Sequence, residues 1–184
     1  ELRHKDYPRA IALYKQLIAA ANPSQRPLVL QRLARTYRKA GMREAALQAY
    51  RELDAASPGG SLVAKHEVCS LLAEQGPSAA LIHAALDLYR ELVGGRWQVE
   101  KSRYFFYSEN ARSWLAVPSP PGEAGRLRAV EQQKLALTLA VEALLEVPRR
   151  ALATDTGGHL AFWKSEPFVG LLLSESFLKS QFWP

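Results

Sequence analysis

The chain has 184 residues, of which 48% are hydrophobic and 23% charged, with a net charge of +6. That apolar content excludes a disordered chain, and the length holds one or two small domains with a real core. The single Cys69 excludes an internal disulfide, and the longest apolar-rich run, Leu135 to Leu145, is too short and too interrupted to span a bilayer.

Apolar spacing and Gly/Pro breaks predict helices over 7–21, 27–40, 43–56, 62–75 and 78–93. Residues 97–115 read as another helix, rich in aromatics: Trp97, Tyr104, Phe105, Phe106, Tyr107 and Trp114. Such rings can stack on sugars or bases, but at near-helical spacing they are expected as core that seals the end of a helical stack. Val117–Gly125 reads as a loop, and Arg126–Val147 as a long amphipathic helix. The character then changes. Ala151–Thr154 and His159–Lys164 read as strands around the turn Asp155-Thr156-Gly157-Gly158, Phe168–Leu173 as a further strand, and Ser174–Phe182 as a short helix capped by Ser174. Such a β element either packs on the helices or opens a second domain.

The helical part repeats. Leu33, Ala34, Tyr37, Gly41, Ala46, Tyr50, Leu53 and Pro58 describe two helices joined by a tight turn, with alanines at the close approach. Gly41 is expected to end the first helix in the left-handed conformation. Ala10, Tyr14 and Leu17 precede Ala46, Tyr50 and Leu53 by a constant 36 residues. Val68, Cys69, Leu72, Gly76, Leu81, Ala85 and Leu88 form a third, eroded unit. Self-similarity near this period marks stacked helical hairpins. The chain opens at Glu1, without Met and in mid-pattern, as a segment of a longer protein does.

These residues resemble the tetratricopeptide repeat. The resemblance extends to the input regions of certain bacterial sensor histidine kinases. It is carried by Lys5-Asp6-Tyr7-Pro8-Arg9-Ala10, the run Leu33 to Gly41, Gly95-Arg96-Trp97 leading into Tyr104–Trp114, and Leu160–Lys164 followed by Phe177-Leu178. No phospho-accepting His box or nucleotide box is in the sequence. The resemblance implies a TPR-like α-α superhelix, mainly α, with extra helices and a small C-terminal β element. It implies helical repeats over 1–94, additional helices over 95–149 and a β/α segment over 150–184, which could begin a truncated sensory domain. It also implies an extracytoplasmic, membrane-anchored parent, with a cytoplasmic location as the alternative.

Stacked hairpins line a groove with the first helix of each pair. The groove residues expected here are Gln31, Arg35, Arg38 and Lys39, then His66, Ser70 and Glu74. The basic members suit an acidic peptide or a carboxylate ligand; the bland alternative is a solvated helix surface. His159 and Trp163 are candidates for a pocket near the β element, or plain turn-flanking residues. His66 with Cys69, and His83 with Asp87, have spacings that permit a metal, but each pair has only two ligands and no metal is expected. No nucleophile elbow, P-loop, dinucleotide fingerprint or zinc-protease motif is present, so no catalytic residue and no cofactor are expected.

Residues 1–53 carry 11 Lys/Arg against 4 Asp/Glu, while 54–184 carry 13 against 14. Nucleic-acid binding through the basic half is disfavoured for want of any recognised motif. The expected function is binding of a peptide, protein or small molecule by a sensory input domain. The alternative is a scaffold that assembles proteins without signalling.

Overall fold

The computed structural model describes the backbone of residues 6–116 and 122–146 and of three strand segments; side chains are described over 6–116, 122–139 and at Glu142. It is mainly α. The helices are α1 (Tyr7–Ala20), α2 (Arg26–Lys39), α3 (Arg43–Ala56), α4 (Leu62–Ala73), α5 (Ala79–Val93), α6 (Lys101–Leu115) and α7 (Glu123–Glu146). The strands are β1 (Ala153–Asp155), β2 (His159–Ser165) and β3 (Phe168–Ser174). The chain divides into two compact units, Glu1–Ala124 and Gly125–Pro184.

Short polar residues start the helices. The Asp6 carboxylate accepts from the Arg9 amide at 3.1 Å, Ser61 caps α4 through the Ala64 amide, and Ser78 caps α5 through the Leu81 amide. Gly41, at φ +74°, ends α2. The Met42 amide donates to the Tyr37 carbonyl at 2.9 Å and the Gly41 amide to the Arg38 carbonyl at 3.1 Å, which satisfies the last carbonyls of the helix.

α2 and α3 pack closely because Ala34 and Ala46, both 0% exposed, put no bulk between them. Leu30, Leu33, Tyr37, Leu47, Tyr50 and Leu53 fill the surrounding space, all buried. Each large side chain contributes about 1.5–3 kcal/mol by leaving water. α4 and α5 repeat the arrangement with Cys69, Ala85, Leu88 and Tyr89. α3 packs on α4, and α6 packs on α5 and α4.

Polar clips hold the turns between hairpins. Asp54 accepts from the Ser61 amide at 2.6 Å. The Arg96 guanidinium donates to the Gly59 carbonyl at 2.6 Å, and the Trp97 indole to the Gly60 carbonyl at 3.3 Å. Gly60 is required here: it sits at φ +77°, and a Cβ would meet the Asp54 carboxylate at 3.0 Å. This clip also corrects the start of the aromatic helix. Residues 96 and 97 are held on the Gly59-Gly60 turn, so α6 begins at Lys101 and not at 97.

The aromatics of α6 are only partly core. The residues it buries are Ser108, Ala111 and Leu115; Trp97, Tyr104, Phe105 and Trp114 are half-buried, and Phe106 is 55% exposed. α7 starts at Glu123, inside the expected loop.

In the second unit the strands pair antiparallel in the order β1-β2-β3, with Ala161 opposite both Thr154 and Leu172. Asp155 belongs to β1, not to the turn, and Ser174 belongs to β3, opposite His159, where a helix cap was expected. The rest of the expected 174–182 helix lies outside the described residues.

Ala34→Leu drives a branched side chain into the α2–α3 contact. It is expected to destabilise the helical unit by about 1–3 kcal/mol, read as a lower urea midpoint by far-ultraviolet circular dichroism.

Candidate functional site

One face of α4 carries His66, Glu67, Ser70 and Glu74, at steps that return to the same side of the helix. α2 reaches this face from one side. The Arg38 guanidinium donates to Glu67, to the Ser70 hydroxyl at 3.0 Å and to Glu74 at 2.7 Å. Burial opposes the Arg38 charge, but Glu67 and Glu74 outweigh it and hold the guanidinium above its ordinary pKa. Its side chain is 35% exposed, so solvent screens part of this attraction.

Beneath the cluster lies Tyr50 of α3, 0% exposed. Its hydroxyl has no hydrogen-bond partner among the described groups. Burial first, and the Glu67 charge second, push its pKa up to about 12, against the pull of Arg38 and Arg35. The phenol is therefore a neutral donor with nothing to donate to. An unmet buried polar group costs about 1–3 kcal/mol.

α6 closes the other side. Its Asn110 side-chain amide lies 3.2 Å from His66 Nε2. The Phe106, Tyr107 and Trp114 rings surround the imidazole at centroid distances of 5.3, 5.1 and 5.3 Å, with Tyr107 edge-on. Burial lowers the His66 pKa below its ordinary 6.5, and Arg38 lowers it further, against the opposing pull of Glu67. A neutral ring whose Nε2 accepts from Asn110 fits that environment. The face thus runs from cations on α2, over an ion cluster and a buried phenol, to half-exposed aromatics on α6.

The structure brings together three of the expected groove residues, Arg38, Ser70 and Glu74, and turns a fourth, His66, toward α6. Arg35 and Lys39 are exposed and make no ion pair among the described residues; Gln31 is half-buried. Sequence reasoning missed Glu67, Tyr50 and Asn110. Glu67 was legible as a neighbour of His66 on the groove side. Tyr50 reads as core, which it is, and no spacing rule reports where its hydroxyl ends. His159 and Trp163 lie on β2, and their side chains are outside the described residues.

The possible metal pairs have other occupations. Cys69 is fully buried, and burial pushes its thiol up to about 12, so it is an inert packing residue. Asp87 pairs with Arg90 at 2.6 Å, and His83 is exposed. Among the described residues no group of three or more His, Cys, Asp or Glu is placed to hold a metal ion. On the other side of α4 a cleft of about 180 Å³ is lined by Arg51, Asp54, Lys65, Val68, Ala84 and Asp87. Within it Lys65 lies 3.6 Å from Asp54, and 3.4 Å from Glu91. No helix among the described residues is long and apolar enough to cross a membrane.

The chain matches no family model, no curated protein and no solved structure. The face above therefore rests on its own geometry.

Arg38→Met leaves Glu67 and Glu74 on one helix without their shared cation. It is expected to cost about 1 kcal/mol after solvent screening, and the loss should shrink when Glu67→Gln is added. The pH dependence follows from His66. Its folded pKa lies below the ordinary value, so below about 6.5 the unfolded chain binds a proton that the folded ring resists. Stability should fall as pH drops through that value, and His66→Gln should flatten this part of the profile in thermal melts.

Proposed function

We propose that this chain is a non-catalytic binding module of stacked helical hairpins. In this reading the hairpins form a tetratricopeptide-like superhelix, and the face of α2, α4 and α6 is its groove. The carrying observation is a face with the exposed cations Arg35 and Lys39 at one end and the partly exposed Phe106, Tyr107 and Trp114 rings at the other. That combination suits an extended ligand with a carboxylate against Arg35 and Lys39 and an apolar group on the α6 rings. The resemblance of the sequence to sensor histidine kinase input regions supports the further reading. In it, the module sits outside the cytoplasmic membrane, and ligand binding biases an attached kinase through the segments that follow the repeats.

The first test is a thermal-shift screen of the chain against short acidic peptides and small carboxylates. A groove ligand at 100 times its dissociation constant stabilises by about 2.7 kcal/mol. The stabilisation should weaken in Arg35→Gln, which removes an exposed cation of the face, and in Trp114→Ala. Stabilisation by none of these ligands would overturn the groove reading. The signalling role has a separate test, in membrane vesicles holding the full-length parent. ATP-dependent phosphohistidine that changes with ligand supports it, and its absence rejects it.

A further inference from the structure

The cleft on the other side of α4 from Glu67 and Ser70 lies wholly within the first compact unit. α4 packs on both α3 and α5, so it forms the floor of the cleft with Lys65 and Val68. Arg51 and Asp54 of α3 form one wall, and Ala84 and Asp87 of α5 the other. The walls belong to different hairpins, and a molecule held between them bridges the two.

The protein serves the carboxylates of this cleft better than its cations. Asp54 Oδ1 accepts from the Ser61 amide at 2.6 Å, and Asp87 Oδ1 from the Arg90 guanidinium at 2.6 Å. The Lys65 ammonium has two long ion-pair contacts, 3.6 Å to Asp54 and 3.4 Å to Glu91. Both exceed the length of about 2.7–2.9 Å usual for a charge-assisted hydrogen bond. Arg51 is exposed and makes no hydrogen bond or ion pair among the described residues. Its guanidinium presents a planar fork of N–H donors that matches a carboxylate. Asp87 keeps accepting capacity as well, since Arg90 uses one of its oxygens and the side chain is 44% exposed.

This placement of charge selects the ligand. Free cationic donors call for an anionic group. A plain anion, however, would face Asp54 and Asp87 with nothing to offer them, and like charges brought together repel. A molecule carrying a carboxylate and an ammonium side by side meets both walls. Val68 and Ala84, both half-buried, leave an apolar stretch for a short aliphatic group. At about 180 Å³ the cleft is smaller than the roughly 300–1,000 Å³ of drug-sized pockets, which keeps the ligand small.

We propose that this cleft is a second binding site, for a free aliphatic α-amino acid. The ligand carboxylate pairs with Arg51 and takes up the loose donors of Lys65. Its ammonium sits against Asp87, and its side chain covers Val68 and Ala84. The bound molecule ties the α2–α3 hairpin to the α4–α5 hairpin. The site is independent of the groove, because it uses neither Arg35 and Lys39 nor the α6 rings.

The test is calorimetric titration of the whole chain with L-alanine, L-valine and L-leucine. Each is compared with the analogue that lacks the amino group and the analogue that lacks the carboxylate. At least one amino acid should bind, and each of its analogues should bind about tenfold more weakly or worse. Arg51→Gln should weaken the amino acid by about the same factor and erase its advantage over the analogue without a carboxylate. Asp87→Asn should erase the advantage over the analogue without an amino group. Arg51 is exposed and Asp87 half-buried, so the fold should survive both changes, as circular dichroism would verify. Binding of none of the three amino acids at millimolar concentration overturns the proposal. So does an analogue that binds as tightly as its parent, or amino-acid binding that either variant leaves unchanged.

Discussion

Close approach at Ala34 and Ala46, neither with any exposed surface, sets where the other groups of the first unit lie. Two helices that meet through methyl groups leave their larger residues to interlock around the crossing, as interior packing density demands. Tyr50 is carried into that interior as one of those residues, and its buried hydroxyl feels the charges of Glu67, Arg38 and Arg35. A bulkier residue at the crossing would separate the helices and lift Tyr50 away from the α4 face. Cys69 and Ala85 take the corresponding small-residue places in the next hairpin, which explains why a thiol sits there without chemistry.

The polar groups divide into those that satisfy one another and those that do not. Asp54, Lys65, Glu91, Arg96 and the Gly59 and Gly60 carbonyls lock the turn between hairpins, with Glu91 Oε2 left buried without a hydrogen-bond partner among the described groups. The opposite face of α4 differs. Arg38 is saturated by three acceptors, yet the phenol below it has none.

Repetition gives the charge pattern its meaning. Taken alone, the basic excess of residues 1–53 is a composition statement, compatible with a solvated surface. Placed in register, it becomes directional. Glu67, Ser70 and Glu74 on α4 stand where α2 has Arg32, Arg35 and Lys39, so successive first helices present opposite charge to what lies before them. Leu13 and Leu17 occupy the positions that the next hairpin buries as Ala49 and Leu53.

Much of the local structure was legible in the chain. The helices up to residue 93, the Gly41 stop and the alanine crossing follow from periodicity and steric freedom within a few residues. Those forces act over one or two helical turns, and the sequence records them directly. The start of α6, the exposure of its rings and the partners of Arg38 were not legible. They depend on residues far apart in the chain: Trp97 reaches back 37 positions to Gly60, His66 reaches forward 44 to Asn110, and Arg38 spans 36 to Glu74. Spacing reports which side of a helix a residue occupies. Only the packed structure decides what stands opposite it, because that is set by how the small residues let the helices meet.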